Sequence, residues 1–236
     1  MGSLIVLCIY TKAKIDKDKY GLKPVYDGRL LIKVLNLSVW SMLHAFISVA
    51  PWFLFFVAIE HLGKTELAIS NITRSVSAIF FVIANSFAVT TSSLVSNAIG
   101  ARARNELVPI CHKVLKLGYA VGIPFVVVAL LCNRWIVSFY TDNELLVELA
   151  FAPFVVMLLN YTFALPGYVY LNAVGGTGKT KITFLFQVTT TCVYLVYLYW
   201  LSFCIKASLS LYLTAEYLFV ILLALQSIIH LKSKHY

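Results

Sequence analysis

Residues 151–171 have the sequence FAPFVVMLLNYTFALPGYVYL, which contains no charged side chain. About 20 apolar residues are enough for a helix to cross the hydrocarbon core of a bilayer, which is about 30 Å thick. The stretch is followed by a short polar segment, NAVGGTGKTK (172–181), and by a second apolar stretch, ITFLFQVTTTCVYLVYLYWL (182–201). Two long apolar stretches joined by a polar turn predict two consecutive transmembrane helices.

The polar turn contains the last three residues of a nucleotide-binding P-loop, Gly178, Lys179 and Thr180. A complete P-loop also has a glycine five positions before Gly178, where this chain has Ala173, and it lies between a strand and a helix. The apolar stretches on both sides of the turn are much too long for a strand. The sequence therefore predicts a turn between membrane helices and no nucleotide site.

The composition extends this interpretation to the whole chain. Of the 236 residues, 61% are hydrophobic and only 12% are charged, against about 25% charged in soluble domains, and the mean hydropathy is +0.87. Backbone N–H and C=O groups in lipid must form hydrogen bonds within the chain. A chain with this composition is therefore expected to cross the membrane as α-helices. We therefore expect an all-α integral membrane protein in contact with the lipid bilayer.

Charge and motifs exclude several other classes. The net charge of +9 comes from short basic clusters between apolar stretches, which is typical of contacts with lipid head groups rather than with nucleic acid. The sequence has no Gly-x-Ser-x-Gly or His-Glu-x-x-His motif, so we do not expect an enzyme. The five cysteines are scattered, which favours packing roles over metal sites or disulfides and gives no reason to expect a cofactor.

Six spans are predicted, followed or preceded by polar segments. Residues 1–10 are expected to be the end of a truncated preceding helix, 11–29 a cytoplasmic linker, 30–232 a six-helix lobe, and 233–236 a cytoplasmic tail. Residues 133–148, NRWIVSFYTDNELLVE, are amphipathic and are predicted to lie in the membrane interface. The spans are placed near 31–59, 67–98, 114–132, 146–171, 182–203 and 208–231.

Lysine and arginine residues predict the orientation of these spans. Fourteen of them fall in the linker, the two glycine-rich turns with their flanks, and the C-terminus, whereas the opposite loops contain only Lys64, Arg134 and Lys206. Because positive residues are retained on the cytoplasmic side, the linker, both turns and the C-terminus are predicted to be cytoplasmic. The expected location is the plasma membrane, that is, the inner membrane of a bacterium.

The second and fourth spans end in similar tetrapeptides, Asn-Ala-Ile-Gly at 97–100 and Asn-Ala-Val-Gly at 172–175. One interpretation is purely structural, because glycine next to a helix end caps it in the left-handed conformation and the basic residues that follow suit the helix dipole. The other interpretation is a resemblance between this chain and a known family.

Three segments resemble the C-terminal half of the multidrug and toxic compound extrusion (MATE) family: EHLGKTELAISNITRS (60–75), LVSNAIGARARNE (94–106) and NAVGGTGKTK (172–181). They are similar to the family's segments after its seventh, eighth and tenth helices. The six spans then correspond to helices seven to twelve, which makes the chain half of a twelve-helix transporter. The family-like residues of the cytoplasmic turns are Gly100, Arg102, Gly175, Gly176 and Gly178.

The resemblance implies an antiporter that expels drugs or small organic cations in exchange for Na⁺ or H⁺, with the substrate between two lobes. A missing N-terminal six-helix lobe is then the expected partner, and this chain alone is expected to be inactive. Many relatives carry coupling carboxylates in helices seven and ten, whose positions here are Phe46 and Ala164. Ion coupling is therefore expected to involve the other lobe.

Polar side chains within spans are functional candidates, because the bilayer core offers them no water. His44 is central in the first span and is expected either to contact substrate or to make a hydrogen bond between helices. The other substrate-facing candidates are Asn36, Asn85, Asn160, Tyr161 and Gln187, each with the same alternative.

The charged and aromatic residues of the spans have structural interpretations. Glu216 is expected to pair with a neighbour or to reach the outer interface rather than bind an ion. Glu60 and Arg74 are expected to form an ion pair that closes the first hairpin. The four tryptophans are predicted either to anchor the chain at the interface or to form a drug platform; they are Trp40, Trp52, Trp135 and Trp200.

Two alternatives to a multidrug exporter remain at this point. A lipid-linked sugar exporter would share the two-bundle architecture, but it would favour more cationic residues in the cavity. A membrane subunit without transport activity would use the six helices only to bind another protein.

Overall fold

All regular secondary structure in the part of the chain that the structure describes is helical. The computed structural model describes residues 27–60, 62–202 and 208–233. The predicted helix end at 1–10, most of the predicted linker at 11–29, and tail residues 234–236 lie outside these ranges. A 3₁₀ turn (Arg104–Glu106) accompanies the α-helices α1 (Gly28–Glu60), α2 (Lys64–Gly100), α3 (Leu107–Leu131), α4 (Asn133–Ser138), α5 (Glu144–Leu149), α6 (Phe151–Leu159), α7 (Tyr161–Gly176), α8 (Thr180–Trp200) and α9 (Leu209–Lys232).

Within these described ranges, six helical segments are long and apolar enough to cross a membrane, which confirms the predicted number and order of spans. The third span begins at its 3₁₀ turn, about ten residues earlier than predicted. The fourth consists of α5, α6 and α7, with single-residue interruptions at Ala150 and Asn160. Of the predicted interfacial segment, residues 133–138 form the separate helix α4, whereas 144–148 belong to the fourth span.

The chain divides into two compact units, with the boundary between Asn36 and Leu37. In the first unit, the described residues form the start of α1. There, Oδ1 of Asp27 accepts hydrogen bonds from the backbone N–H groups of Arg29, at 2.9 Å, and Leu30, at 3.2 Å. An acidic side chain in this position satisfies donors that have no partner within the helix.

The helix α7 is the centre of the second unit, where it packs most extensively against α2 and α9. Glycines make the close approach possible. A Cβ atom on Gly167 would lie 2.7 Å from the carbonyl oxygen of Val220 on α9, and one on Gly176 would lie 2.5 Å from that of Ser92 on α2. Small residues at such positions are typical of membrane bundles, in which helices associate through close packing.

Two tyrosines connect α3 to the fourth span. Pro166 has no N–H group and cannot donate to the carbonyl of Thr162 four residues earlier. Oη of Tyr119 on α3 donates to that carbonyl at 2.6 Å, and Oη of Tyr161 donates to the carbonyl of Gly118 at 2.9 Å. The proline within the fourth span is therefore tolerated because the neighbouring helix pairs the released carbonyl.

The two glycine-rich turns end their helices differently from the prediction. The left-handed residue after α2 is Arg102, with φ 60°, and Gly100 is the last residue of the helix. The N–H groups of Ala103 and Arg102 donate to Ala98 and Ile99, which is a Schellman motif. After α7 the left-handed residue is Gly178, with φ 84°. The predicted left-handed cap at Gly100 is wrong because the chain continues as helix through that residue.

Candidate functional site

A first polar cavity lies beside the turn between α7 and α8 and has a volume of about 250 Å³. His44 lines it from α1, and its Nε2 atom is buried without a hydrogen-bond partner. Hydroxyl groups accompany the imidazole: Oγ of Ser41 and Oγ1 of Thr180 both donate to the carbonyl of Leu37, at 3.2 and 3.3 Å. Asn172 of the repeated motif also lines the cavity and donates from Nδ2 to the Tyr168 carbonyl at 3.0 Å.

A second cavity, of about 40 Å³, lies deeper in the bundle and is lined by residues of α1, α2, the fourth span and α9. Asn160 and Tyr161 line it together with Glu216. Asn160 is 8% exposed, and its Oδ1 atom has no hydrogen-bond partner. The volume suits one water molecule, whereas drug-sized ligands occupy cavities of about 300–1,000 Å³.

Glu216 is buried within α9, 8% exposed, and accepts a hydrogen bond from Oη of Tyr194 on α8 at 3.2 Å. Three environments were open for this residue: a wet cavity, pairing with a neighbour, and the outer interface, with the last two favoured over ion binding. The structure places it inside the bundle beside a hydrogen-bonding neighbour.

Arg74 of α2 lies against aromatic rings of α1. Its guanidinium carbon is 3.7 Å from the ring centroid of Trp52 and 4.4 Å from that of Phe56. Nη1 donates to the carbonyl of Trp52 at 3.4 Å, and Nη2 is buried without a partner. The expected ion pair with Glu60 is absent, although the structure describes both residues. The aromatic cage holds the guanidinium instead.

The remaining candidates are dispersed. Asn36 on α1 and Asn85 on α2 are exposed, whereas Gln187 on α8 is 2% exposed. Phe46 is exposed on α1, and Ala164 lines the 40 Å³ cavity next to Glu216. The structure thus brings Asn160, Tyr161 and Ala164 together at one cavity.

The tryptophans divide into two groups. Trp135 and Trp200 are exposed, at 77% and 47%. Trp40 is half-buried against Phe184, with ring centroids 5.5 Å apart, and Trp52 stacks on Arg74. The contact between Trp52 and Arg74 could not be found from spacing, because it joins residues on different helices.

A third cavity, of about 860 Å³, is lined by apolar side chains of α1, α8 and α9. Leu54 and Val57 contribute from α1, Val196 and Tyr199 from α8, and Tyr212 from α9. The volume falls in the range of drug-sized ligands. Neither its position nor its lining was predicted. Within a hydrophobic span, the sequence does not show which apolar side chains face lipid and which line a cavity.

The described residues contain no group of three or more His, Cys, Asp and Glu side chains that could hold a metal ion. Three of the cysteines lie in the described ranges and are free: Cys111 is buried, and Cys132 and Cys192 are exposed. Cys8 and Cys204 are outside the described residues.

Among the described residues, six helical segments are long and apolar enough to cross a membrane, and α7 is the most extensively packed of their helices, so the chain is an all-α integral membrane protein. The chain belongs to the MatE family, whose model matches residues 41–201. It is the family that the three sequence motifs predicted. No curated protein shows significant similarity to the sequence.

Solved structures of MATE proteins and of a MOP superfamily transporter share the fold. A MATE protein in a bent conformation has a TM-score of 0.73 at 18% identity, over 83% of this chain and 44% of its own length. A MATE protein in complex with MaL6 also has 0.73, at 17% identity, over 89% and 47%. A MOP superfamily transporter from Pyrococcus furiosus has 0.70 at 18% identity, over 84% and 43%. The chain therefore spans less than half the length of these structures.

Proposed function

We propose that this chain is the C-terminal six-helix lobe of an efflux antiporter that moves drugs or small organic cations out of the cell in exchange for Na⁺ or H⁺. The observation that carries the proposal is the MatE match over residues 41–201, on a bundle with six membrane-crossing segments. Members of this family are transporters, and transporters built from parallel repeats bind their substrate between the two halves.

The cavities support a substrate of mixed character. The apolar cavity of about 860 Å³ has space for the aromatic or aliphatic part of a drug. The polar cavity at His44 is below drug size and suits one wall of a larger site. In the proposal, His44 contacts substrate, and the substrate-facing candidates buried deeper in the bundle shape the lobe around it.

The partner in this proposal is a second six-helix lobe. The chain covers 43–47% of the length of the similar structures, so one further bundle of the same size completes them. A substrate site between two lobes has only one wall when a single lobe is present. The chain is therefore expected to transport nothing by itself.

The orientation in the proposal places the turns after α2 and α7, together with the C-terminus, in the cytoplasm of a bacterium with the lobe in its inner membrane. The basic residues Arg102, Arg104, Lys179 and Lys181 support this, because they flank these two turns.

Efflux of a cationic fluorescent dye from intact cells tests the function. We expect efflux when the chain is expressed together with the N-terminal six-helix half of a MATE transporter, and none when either half is present alone. Replacing His44 by alanine is expected to reduce efflux. Asn71→Ala, an exposed change on α2, is the control that leaves efflux unchanged.

Two results would count against the proposal. If both halves are present in the membrane at normal levels without any dye efflux, the chain acts as a binding subunit rather than as a transporter lobe. If His44→Ala and Asn71→Ala have equal effects, His44 is not a substrate contact.

The orientation has a separate test with single cysteines at positions 64 and 179, in a variant without the five native cysteines. A membrane-impermeant maleimide added to intact cells is expected to label Lys64→Cys and not Lys179→Cys. Permeabilised cells, in which both positions react, provide the control. Labelling of both positions in intact cells would place them on the same side and contradict the topology.

A further inference from the structure

The buried carboxylate of Glu216 needs a compensating positive charge. It lies two turns inside α9. Among the residues that line the 40 Å³ cavity, Glu216 is the only one with a carboxyl group. The hydroxyl of Tyr194 provides one hydrogen bond but no charge. A carboxyl group inside a membrane bundle becomes neutral by protonation unless a cation lies close to it, so an ionised Glu216 needs either a fixed or an exchangeable cation.

Arg74 is the charged group placed to do this. Its guanidinium stacks on Trp52, and the Trp52 ring lines the same cavity as Glu216. The two side chains are close enough to interact electrostatically, although no direct contact within 4.0 Å joins them. Nη2 of Arg74 is a buried donor without a protein acceptor.

The contacts of Arg74 hold the positive charge in place. The guanidinium remains charged in proteins, stacks favourably on an aromatic face, and is less strongly hydrated than an ammonium group. Trp52 provides both the ring and the carbonyl acceptor, and Phe56 covers a second side of the group. The other polar groups around the cavity are neutral: Ser77, Asn160, Tyr161 and Tyr168.

We propose that Arg74 is the resident counter-ion of Glu216, a guanidinium fixed to the bundle at the place where an exchangeable alkali cation would otherwise bind. Removing the guanidinium opens a Na⁺ site whose oxygen ligands are the Glu216 carboxylate, the unpartnered Oδ1 of Asn160 and neighbouring hydroxyl groups, since Na⁺ is a hard cation that takes oxygen ligands. The wild-type chain binds no Na⁺ at this position. Within the proposed transport function, the coupling ion then binds outside this cavity.

Thermal unfolding of the chain in detergent tests this inference. Unfolding is monitored by the circular dichroism signal of the helices, once in NaCl and once in N-methyl-D-glucamine chloride of equal ionic strength. The wild-type midpoint is expected to be the same in both salts. Arg74→Met is expected to be stabilised by Na⁺, by about 3–6 °C for each tenfold rise in concentration above its dissociation constant. The effect is lost in Arg74→Met/Glu216→Gln. Arg74→Lys, which keeps the charge, behaves as wild type.

Lys64→Met is the matched control, because it removes a cation from the first residue of the same helix. It is expected to show no Na⁺ response. Glu216→Gln supplies a second measurement that does not depend on the folding of Arg74→Met. That variant leaves Arg74 buried without its counter-ion, so Arg74→Met/Glu216→Gln is expected to unfold at a higher temperature than Glu216→Gln alone.

Two results overturn the inference. A Na⁺ response in the wild-type chain that Glu216→Gln abolishes would mean that the carboxylate already takes an exchangeable ion. Arg74→Met without any Na⁺ response, or a double variant no more stable than Glu216→Gln alone, would mean that Arg74 is not the counter-ion. These measurements use the chain without its partner, so they remain informative whether or not dye efflux is observed.

Discussion

Gly176 at the end of α7 gives the sharpest test of the packing, because the chain offers a matched control. A Cβ atom at this position would lie 2.5 Å from the carbonyl oxygen of Ser92 and 3.0 Å from its Cα. Ordinary contacts begin at 3.4 Å, so Gly176→Ala forces the α2 and α7 backbones apart by about 0.9 Å. Backbone atoms cannot rotate away as a side chain could, and overpacking of this kind costs about 1–3 kcal/mol.

Gly100→Ala is the control, since Gly100 is the last residue of α2 and a Cβ atom there meets nothing within 4 Å. Alanine is the better helix former, so this change is expected to be neutral or to stabilise by up to about 1 kcal/mol. Gly167→Ala, which would place Cβ 2.7 Å from the Val220 carbonyl oxygen, is expected to behave like Gly176→Ala.

The measurement is reversible unfolding of the detergent-solubilised chain by increasing mole fractions of SDS, followed by circular dichroism. Gly176→Ala is expected to unfold at a lower SDS fraction than wild type and Gly100→Ala at an equal or higher one. Equal midpoints for Gly176→Ala and Gly100→Ala would refute the conclusion that close backbone packing between α2 and α7 requires glycine.

Three further changes test single interactions by the same unfolding measurement. Tyr119→Phe removes the donor to the Thr162 carbonyl and is expected to reduce the free energy of unfolding by about 1–2 kcal/mol. In a Pro166→Ala background, which restores a backbone donor, the loss should be much smaller. An equal loss in both backgrounds would contradict the role of Tyr119. Arg102→Gly relieves the strain of a left-handed backbone at φ 60° and is expected to stabilise the fold by about 1 kcal/mol. A destabilised variant would mean that the arginine side chain stabilises the fold by more than the strained backbone destabilises it. Asp27→Ala removes the acceptor for two N–H groups at the start of α1 and is expected to cost about 1 kcal/mol, with Asp27→Asn close to wild type; equal effects of the two changes would point to the charge rather than the cap.

The fold could be predicted because its main determinant is local in sequence. Length and apolar character define each span independently of the others, and the six spans were placed in the correct order. The third span was predicted too short because its first turns, from Arg104 to Lys113, contain charged and polar side chains. In the structure, α3 begins at Leu107 and continues through Gly122 and Pro124, with the ring of Tyr161 in the space over Gly122.

The candidate site was predicted less completely, because its contacts join helices that are distant along the chain. Arg74 was paired with Glu60 on the basis of proximity in one hairpin, but its contacts depend on how α2 is rotated against α1. The burial of Glu216 depends in the same way on α8 and α9. When a helix is apolar on all sides, its sequence does not show which face is turned toward a neighbouring helix. The sequence therefore indicated which polar and charged residues are unusual within a span, but not which of them contact one another.

The central position of α7 has a consequence for biosynthesis. The helix α2 leaves the ribosome long before its main neighbour α7, which is complete only at Gly176, and α9 follows later still. During this interval α2 can pair with α3 but not with α7, so the surface of α2 that α7 later covers faces lipid or the insertion machinery. Assembly of the bundle is therefore expected late in translation, and a nascent chain arrested before residue 176 should remain accessible to proteases that the finished protein resists.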